Sequence, residues 1–335
     1  MKGERPLVSV VMPYRDASGT LDEAAASILS QEGVELELIA VDDGSRDDGA
    51  ERMRALAGRD ARVVMVQGEG RGIAPALTRG LEAARGEVVA RMDADDVALP
   101  GRLARQVEAL AGDARLGAVG TRVETLGPCG EGMRLYVAWQ NALVGPGDHA
   151  RELFVESPLC HPSVVLRREA LEAVGGWRDT PWPEDYDLWL RLDAAGWRLA
   201  KVPEVLLRWR QRPGSLTLTD TRCSQARFRE AKAFYLAPRL ARAGRPLVVW
   251  GAGPTGKRLA RALEVHGVRA ERFVDIDPRK IGRKARGVPI VSPDALRAGE
   301  DALVVAVGVR GARELVRAHL VERGFVEGEH FICAA

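Results

Sequence analysis

Short apolar runs at Leu7–Met12, Leu36–Val41, Val63–Val66 and Val88–Met92 alternate with stretches of helical periodicity, and this alternation limits the fold more than any other feature. Apolar runs of that length, bounded by turn residues, fit strands covered on both faces. Between the first two runs, Leu21, Ala24, Ala25, Ile28 and Leu29 share one helical face, and Thr20 and Glu23 have the spacing of a capping box. A helix over about Ile73–Ala84 follows the turn Gly68-Glu69-Gly70-Arg71-Gly72. Another is expected to begin at Pro100, since Pro suits a first helical position. A further strand is expected at Leu116–Gly120. The pattern predicts an α/β fold, a doubly wound and mostly parallel sheet.

Ligands of such sheets bind beyond the carboxyl ends of the strands. Those ends carry Pro13-Tyr14-Arg15-Asp16, Asp42-Asp43-Gly44-Ser45 and Asp93-Ala94-Asp95-Asp96, all on one rim. The carboxylates of Asp93, Asp95 and Asp96 repel one another, so they either take up protons or share a cation. Their oxygens suit Mg²⁺ or Mn²⁺, which bind one or two carboxylates together with substrate phosphate. A solvated turn accounts for the same residues, because Asp side chains bond their own backbone in turns.

A chain of 335 residues exceeds a single core and is expected to form more than one domain. The net charge of +2 argues against a dedicated nucleic-acid binder. Cys129, Cys160, Cys223 and Cys333 are scattered, which fits reduced thiols and neither a zinc site nor a disulfide framework. No apolar run approaches the roughly 18 residues of a membrane helix. A cytoplasmic protein is expected, with peripheral contact at the inner face of a membrane and a homo-oligomer left open.

Ser9-Val10-Val11-Met12-Pro13, Val41-Asp42-Asp43-Gly44-Ser45, Gly80-Leu81 with Ala84 and Gly86, and Met92-Asp93-Ala94-Asp95-Asp96 occur in that order. They are followed by His161-Pro162-Ser163-Val164-Val165-Leu166-Arg167-Arg168, Val174-Gly175-Gly176-Trp177 and Glu184-Asp185-Tyr186-Asp187-Leu188-Trp189-Leu190-Arg191. Over about residues 5–218 the chain resembles the family-2 glycosyltransferases of GT-A fold. The resemblance implies transfer of a sugar from a nucleotide diphosphate to an acceptor hydroxyl, usually with inversion. The acceptor would be a glycan, a glycolipid or a polysaccharide precursor.

By that resemblance, Asp43 bonds the nucleotide base, and Pro13, Tyr14 and Arg15 line its pocket. Asp93-Ala94-Asp95 matches the family's Asp-x-Asp, with Asp93 near the ribose and Asp95 on a divalent metal (Mn²⁺ or Mg²⁺). Asp185 is the expected base and Glu184 its support. Arg71 offers a positive charge near the nucleotide or is simply solvated. Trp177 and Trp182 either stack on sugars or belong to the core, and His161 is expected to be structural. Two departures stand out. Arg15-Asp16 replaces a common Tyr-Asn, and Arg212 stands where a His often does, so Arg210 and Arg212 are either phosphate contacts or surface charges.

The expected divisions are a glycosyltransferase domain at 1–220, a helical connector with a basic face at 221–244, and a second domain at 245–335. In the last, Gly251, Gly253 and Gly256 form a Gly-x-Gly-x-x-Gly turn after the strand Leu247–Trp250, and Asp275 follows about 20 residues on, which is the dinucleotide pattern. The domain is similar to the Rossmann-like N-terminal part of hexapeptide-repeat sugar acyltransferases, which implies a nucleotide-linked sugar; the repeats themselves are absent. Two rival readings remain: an NAD(P)-dependent enzyme working through this turn, and a non-catalytic nucleotide-sugar-binding protein.

Overall fold

The computed structural model describes residues 6–212, 214–215 and 219–335. They divide into two units, one of residues up to 149 and 158–219, the other of 150–157 and 220–335.

In the first unit, β1 (Leu7–Tyr14), α1 (Leu21–Leu29), β2 (Glu35–Asp42), α2 (Gly49–Ala57), β3 (Val63–Gln67), α3 (Ile73–Ala83) and β4 (Val88–Arg91) alternate as expected. β1 pairs in parallel with β2 on one side and β4 on the other, with Tyr14 opposite Asp42 and Val11 opposite Arg91. The strand order reverses between β1 and β4, the switch point beyond whose carboxyl ends sheets of this kind bind their ligands. α3 packs directly on this strand: a Cβ at Gly80 would overlap Val11 Cγ1, so only glycine lets the helix approach. Below it, Ser9 Oγ donates to Glu37 Oε1 at 2.7 Å and accepts the Gly86 N–H at 2.7 Å, a buried polar network with its partners supplied.

The chain continues through β5 (Val97–Ala98), α4 (Arg102–Gly112), β6 (Leu116–Leu126), α5 (Glu131–Ala142), α6 (Pro146–Glu152), β7 (Val165–Arg167), α7 (Arg168–Ala173), α8 (Glu184–Ala194) and β8 (Arg198–Arg210). Among the described residues the sheet order is β3-β2-β1-β4-β7-β6-β8-β5. β7 runs antiparallel to both β4 and β6, so a parallel half is joined to a mixed half.

Local expectations fail where a tertiary partner competes. Thr20 makes no side-chain cap; its hydroxyl donates to the Ala94 carbonyl at 2.9 Å and so ties α1 to the acidic loop. Helix α4 starts at Arg102 and not at Pro100, because Gly101 adopts a left-handed φ of 81° between them. Ahead of β7, His161–Ser163 forms a 3-10 turn, held by Ser163 Oγ donating to Cys160 O at 2.7 Å, and the strand begins at Val165.

In the second unit, α9 (Gln225–Ala243) precedes β9 (Leu247–Trp250), α10 (Pro254–Val265), β10 (Ala270–Val274), β11 (Lys284–Ala285), β12 (Val288–Val291), β13 (Ala302–Val305), α11 (Ala312–Glu322) and β14 (Phe331–Cys333). The sheet order is β11-β12-β10-β9-β13-β14, parallel except for the β11–β12 hairpin. The inserted segment 150–157 belongs to this unit. Lys232 Nζ donates to Val155 O at 2.6 Å, and Glu152 pairs with Arg317 at 2.9 Å. Among the described residues no helix is long and apolar enough to cross a membrane.

Candidate active site

Strand β4 delivers the chain into the loop Met92–Asp96, whose carboxylates are held at different depths. Asp93 Oδ2 lies 2.6 Å from Nη1 of Arg91, a buried arginine. Asp95 Oδ2 lies 2.9 Å from Nε of Arg212, whose side chain is 49% exposed. Asp96 accepts the Arg210 N–H at 2.7 Å through Oδ1, while its buried Oδ2 has no hydrogen-bond partner among the described residues. Arg210 Nε also donates to the Asp95 carbonyl at 2.6 Å, so β8 clamps the loop. Burial, together with repulsion from Asp93, raises the Asp95 carboxyl above its ordinary range. Asp96 is pushed well above its own by burial and then by Asp93 and Asp95. Mutually repelling carboxylates held this close, with one buried Asp96 oxygen unpaired among the described residues, are oxygen donors of the kind a divalent cation takes. Among the described residues no group of three or more His, Cys, Asp and Glu side chains would enclose a metal alone, so remaining ligands would come from substrate oxygens.

Facing electrostatics of a second kind occur at the start of α8. Asp185 is pushed up to about 7 by burial and by the neighbouring Glu184. For Glu184, burial works in the same direction, but His161 and Arg91 outweigh it and hold the carboxyl below its ordinary range. His161 Nδ1 stands 3.6 Å from Glu184 Oε1, and Nε2 accepts the Trp177 indole N–H at 3.0 Å, which fixes the ring. Trp177 is thus a buried support for His161. Trp182 donates from Nε1 to Asp187 Oδ1 at 2.9 Å. Leu188, Trp189 and Leu192 are fully buried and anchor the helix under its acidic first turn.

At the β1–β2 end, Pro13 and Tyr14 are buried, and Asp43 N donates to Tyr14 O at 2.9 Å. Burial, with the charge of Asp42, pushes the Tyr14 hydroxyl up to about 12. Asp43 accepts the N–H groups of Gly70 and Gly72, both at 2.9 Å, so it organises the Gly-rich turn, where both glycines have left-handed φ. Arg15 is exposed, and Arg71 is ion-paired at the surface with Glu69.

The supports beneath the site were not read from the sequence. Arg102 is fully buried, and its Nη2 donates to the carbonyls of Arg91 and Pro162, both at 2.7 Å. Gln106, one turn on, donates to Val119 O at 2.6 Å and Ser163 O at 2.8 Å. A charged residue within an apolar strand, as at Arg91, was the available signal.

In the second unit, Gly251 has φ 119°, and a Cβ at Gly256 would overlap the Gly251 carbonyl, so the turn is tight. Gly253 has open space where a Cβ would stand. Asp275 Oδ2 accepts Ala252 N–H at 3.2 Å and Lys280 Nζ at 2.9 Å, and Oδ1 accepts Asp277 N–H at 3.0 Å.

Residues 9–175 match the glycosyl transferase family 2 profile. EpsE of Bacillus subtilis strain 168, provisionally named a glycosyltransferase, is 32% identical over 212 residues, or 62% of this chain and 73% of its own length. The mannosyltransferase PcManGT from Pyrobaculum calidifontis, solved in complex with GDP-Man and Mn²⁺, shares the fold with a TM-score of 0.52 at 23% identity, over 79% of this chain and 74% of that one. TarS of S. aureus, solved with UDP-GlcNAc, does so with a TM-score of 0.50 at 16% identity, over 70% and 72%. With an acidic rim on a sheet of this topology and a relative matched over most of its length, the chain belongs to glycosyltransferase family 2 and has the GT-A fold.

Proposed function

We propose that this glycosyltransferase moves a sugar from a nucleoside-diphosphate sugar to a hydroxyl of a glycan or glycolipid, with inversion at the anomeric carbon. The observation that carries the reading is the split pair on α8: neighbouring carboxyls driven apart, Asp185 up to about 7 and Glu184 down. Divergent neighbours of this kind mark a division of proton-handling roles. A base is most effective with a pKa near the working pH, and Asp185 meets that condition. Asp185 takes the proton of the acceptor hydroxyl as its oxygen bonds to the anomeric carbon. The bond from that carbon to the phosphate oxygen breaks, and the nucleoside diphosphate leaves with the electron pair. Glu184, oriented by His161, keeps the first turn of α8 in place.

Asp95, with Asp93, would hold Mn²⁺ or Mg²⁺, which when bound supplies positive charge against the growing charge of the departing diphosphate. Arg212 is half-exposed on Asp95 and is suited to grip diphosphate oxygens bidentately. Pro13, Tyr14, Arg15 and Asp43 frame the nucleotide at the ends of β1 and β2. The GDP-Man and UDP-GlcNAc complexes of the two structural neighbours support a nucleotide-sugar donor. For the second unit we keep the reading of a nucleotide-sugar-holding domain around Gly251, Gly253 and Gly256. A nicotinamide cofactor is less well supported, since Asp275, the acid expected on its ribose, is already engaged by Lys280 and two N–H groups.

A thermal-shift series with UDP, GDP, CDP and dTDP, with and without Mn²⁺, tests the donor half. One diphosphate is expected to stabilise strongly only with metal, and Asp95→Ala removes the metal-dependent part. Equal stabilisation in EDTA would count against Asp95 as a metal residue, and stabilisation by NADP⁺ alone would favour the nicotinamide reading.

A further inference from the structure

Arg91 closes β4 with its side chain almost wholly buried, 6% exposed. A guanidinium in that position is unfavourable unless other charges oppose it. Its backbone is fixed from both sides: the N–H donates to Val164 O at 2.9 Å, and the carbonyl accepts Arg102 Nη2 at 2.7 Å. Nη1 lies 2.6 Å from Asp93 Oδ2 as an ion pair, and neither Nη1 nor Nε has a partner in hydrogen-bond geometry among the described residues. On the α8 side the link is geometric: Val164, whose carbonyl takes the Arg91 N–H, donates its own N–H to His161 O at 3.2 Å, and His161 Nδ1 stands 3.6 Å from Glu184 Oε1. The Arg91 charge thus acts on Asp93 and Asp96 in the loop and on Glu184 and Asp185 on α8. The other cations divide differently. Arg210 and Arg212 reach the loop from its outer side, 25% and 49% exposed, and Arg102 spends its donors on carbonyls, Gln106 and Met92. Arg191, buried on α8, is paired with Asp187, so among the described residues Arg91 is the buried cation that acts on both the loop and the first turn of α8.

We propose that Arg91 is the positioning residue of the transfer site, its guanidinium tying the metal-side carboxylates of the loop to the base-bearing first turn of α8. The inference rests on the reading of Asp185 as base. Arg91 touches neither substrate and acts through Asp93 on one side and Glu184 and Asp185 on the other. The separation between the leaving group and the base is then set from below, by a residue that stays in place as substrates come and go. The charges acting on Asp185 are Glu184 on its own helix, which raises it, and Arg91 from β4, which lowers it. Removing Arg91 leaves it among negative and neutral groups.

Double-mutant cycles provide a test that needs no substrate. Arg91→Met is combined with Asp185→Asn and with Asp93→Asn, and melting temperatures are read at pH 7.5. The Arg91→Met drop is expected to shrink by at least about 3 °C in each carboxamide background, because the charge left uncompensated is gone. Turnover is read with UDP-GlcNAc and GDP-mannose in Mn²⁺. Arg91→Met should lose about 100-fold in kcat with donor KM changed less than about threefold, as expected for misplaced groups. Its acid limb should move to higher pH, and Arg91→Lys should recover part of both. Additive melting drops in both backgrounds overturn the proposal, as does folded Arg91→Met with wild-type kcat. If Arg91→Met does not fold, Arg91→Lys decides: an unshifted acid limb and wild-type kcat overturn it, a raised limb and reduced kcat support it. If neither donor is turned over, the melting cycles decide alone. An active Asp185→Asn enzyme would instead sink the base assignment, leaving additivity to judge Arg91 separately.

Discussion

Both sheets end a central strand in carboxylates, yet the two endings are electrostatic opposites. After β10, Asp275 is engaged by Lys280 and two backbone N–H groups, and Asp277 by Arg279. Burial opposes ionisation of Asp275, but these bonds prevail and its carboxyl sits below the ordinary range. After β4, and on α8, Asp95, Asp96 and Asp185 all sit above it, and one Asp96 oxygen has no partner among the described residues. Asp95 keeps an ion pair with Arg212 and still sits above its ordinary range, whereas the bonds to Asp275 prevail over its burial, so it is the balance of burial against pairing that separates the two endings. The ending after β4 holds unfavourable free energy that a bound cation and substrate can relieve.

The sharpest way to break this contrast is Asp185→Asn. Turnover should fall by about 1,000-fold or more. Stability should rise, because a carboxyl with a folded value near 7 against an ordinary 3.8 binds more protons folded than unfolded between those limits. The wild type therefore loses stability as pH rises from about 4 to 7, and the variant is spared. At pH 8 the gain should be on the order of 2–4 kcal/mol by urea denaturation, fading below pH 4. A variant no more stable than wild type at pH 8 would remove the claim that this rim is strained.

Next in size, the acid limb of kcat/KM should lie near pH 7, the value to which Asp185 is raised. A limb near pH 4 would point to another base. Asp275→Asn probes the other sheet and should destabilise by about 1–2 kcal/mol, as for a lost charge-assisted hydrogen bond, with turnover unchanged. The sign is reversed relative to Asp185: a lowered carboxyl stabilises above its unfolded value, so this loss is full at pH 7 and fades as pH falls below 4. Smallest of all, Asp277→Asn, whose partner Arg279 is 85% exposed, should leave the melting temperature unchanged within error.

The alternation of strands and helices was legible in the chain, as were the acidic strand ends and the acidic first turn of α8, because each rests on neighbours in sequence. Arg102 was not: its acceptors include Pro162 O, 60 residues away, and nothing local distinguishes it from a surface arginine at a helix start. Thr20 was misread for a related reason. A capping box is a local bond, and the Ala94 carbonyl, 74 residues on, replaced it. The inserted segment 150–157 carries no compositional mark of the unit it joins; its assignment depends on partners such as Lys232 and Arg317.

Residue order by itself determined where strands stop and which polar side chains stand at their ends, since those follow from periodicity along the backbone. Tertiary structure alone decided which acids are pushed above their ordinary range, which are held below it, and where Arg91 stands relative to them. Coulomb interaction and desolvation depend on distance and burial through space, and neither quantity is written in the spacing of residues along a chain.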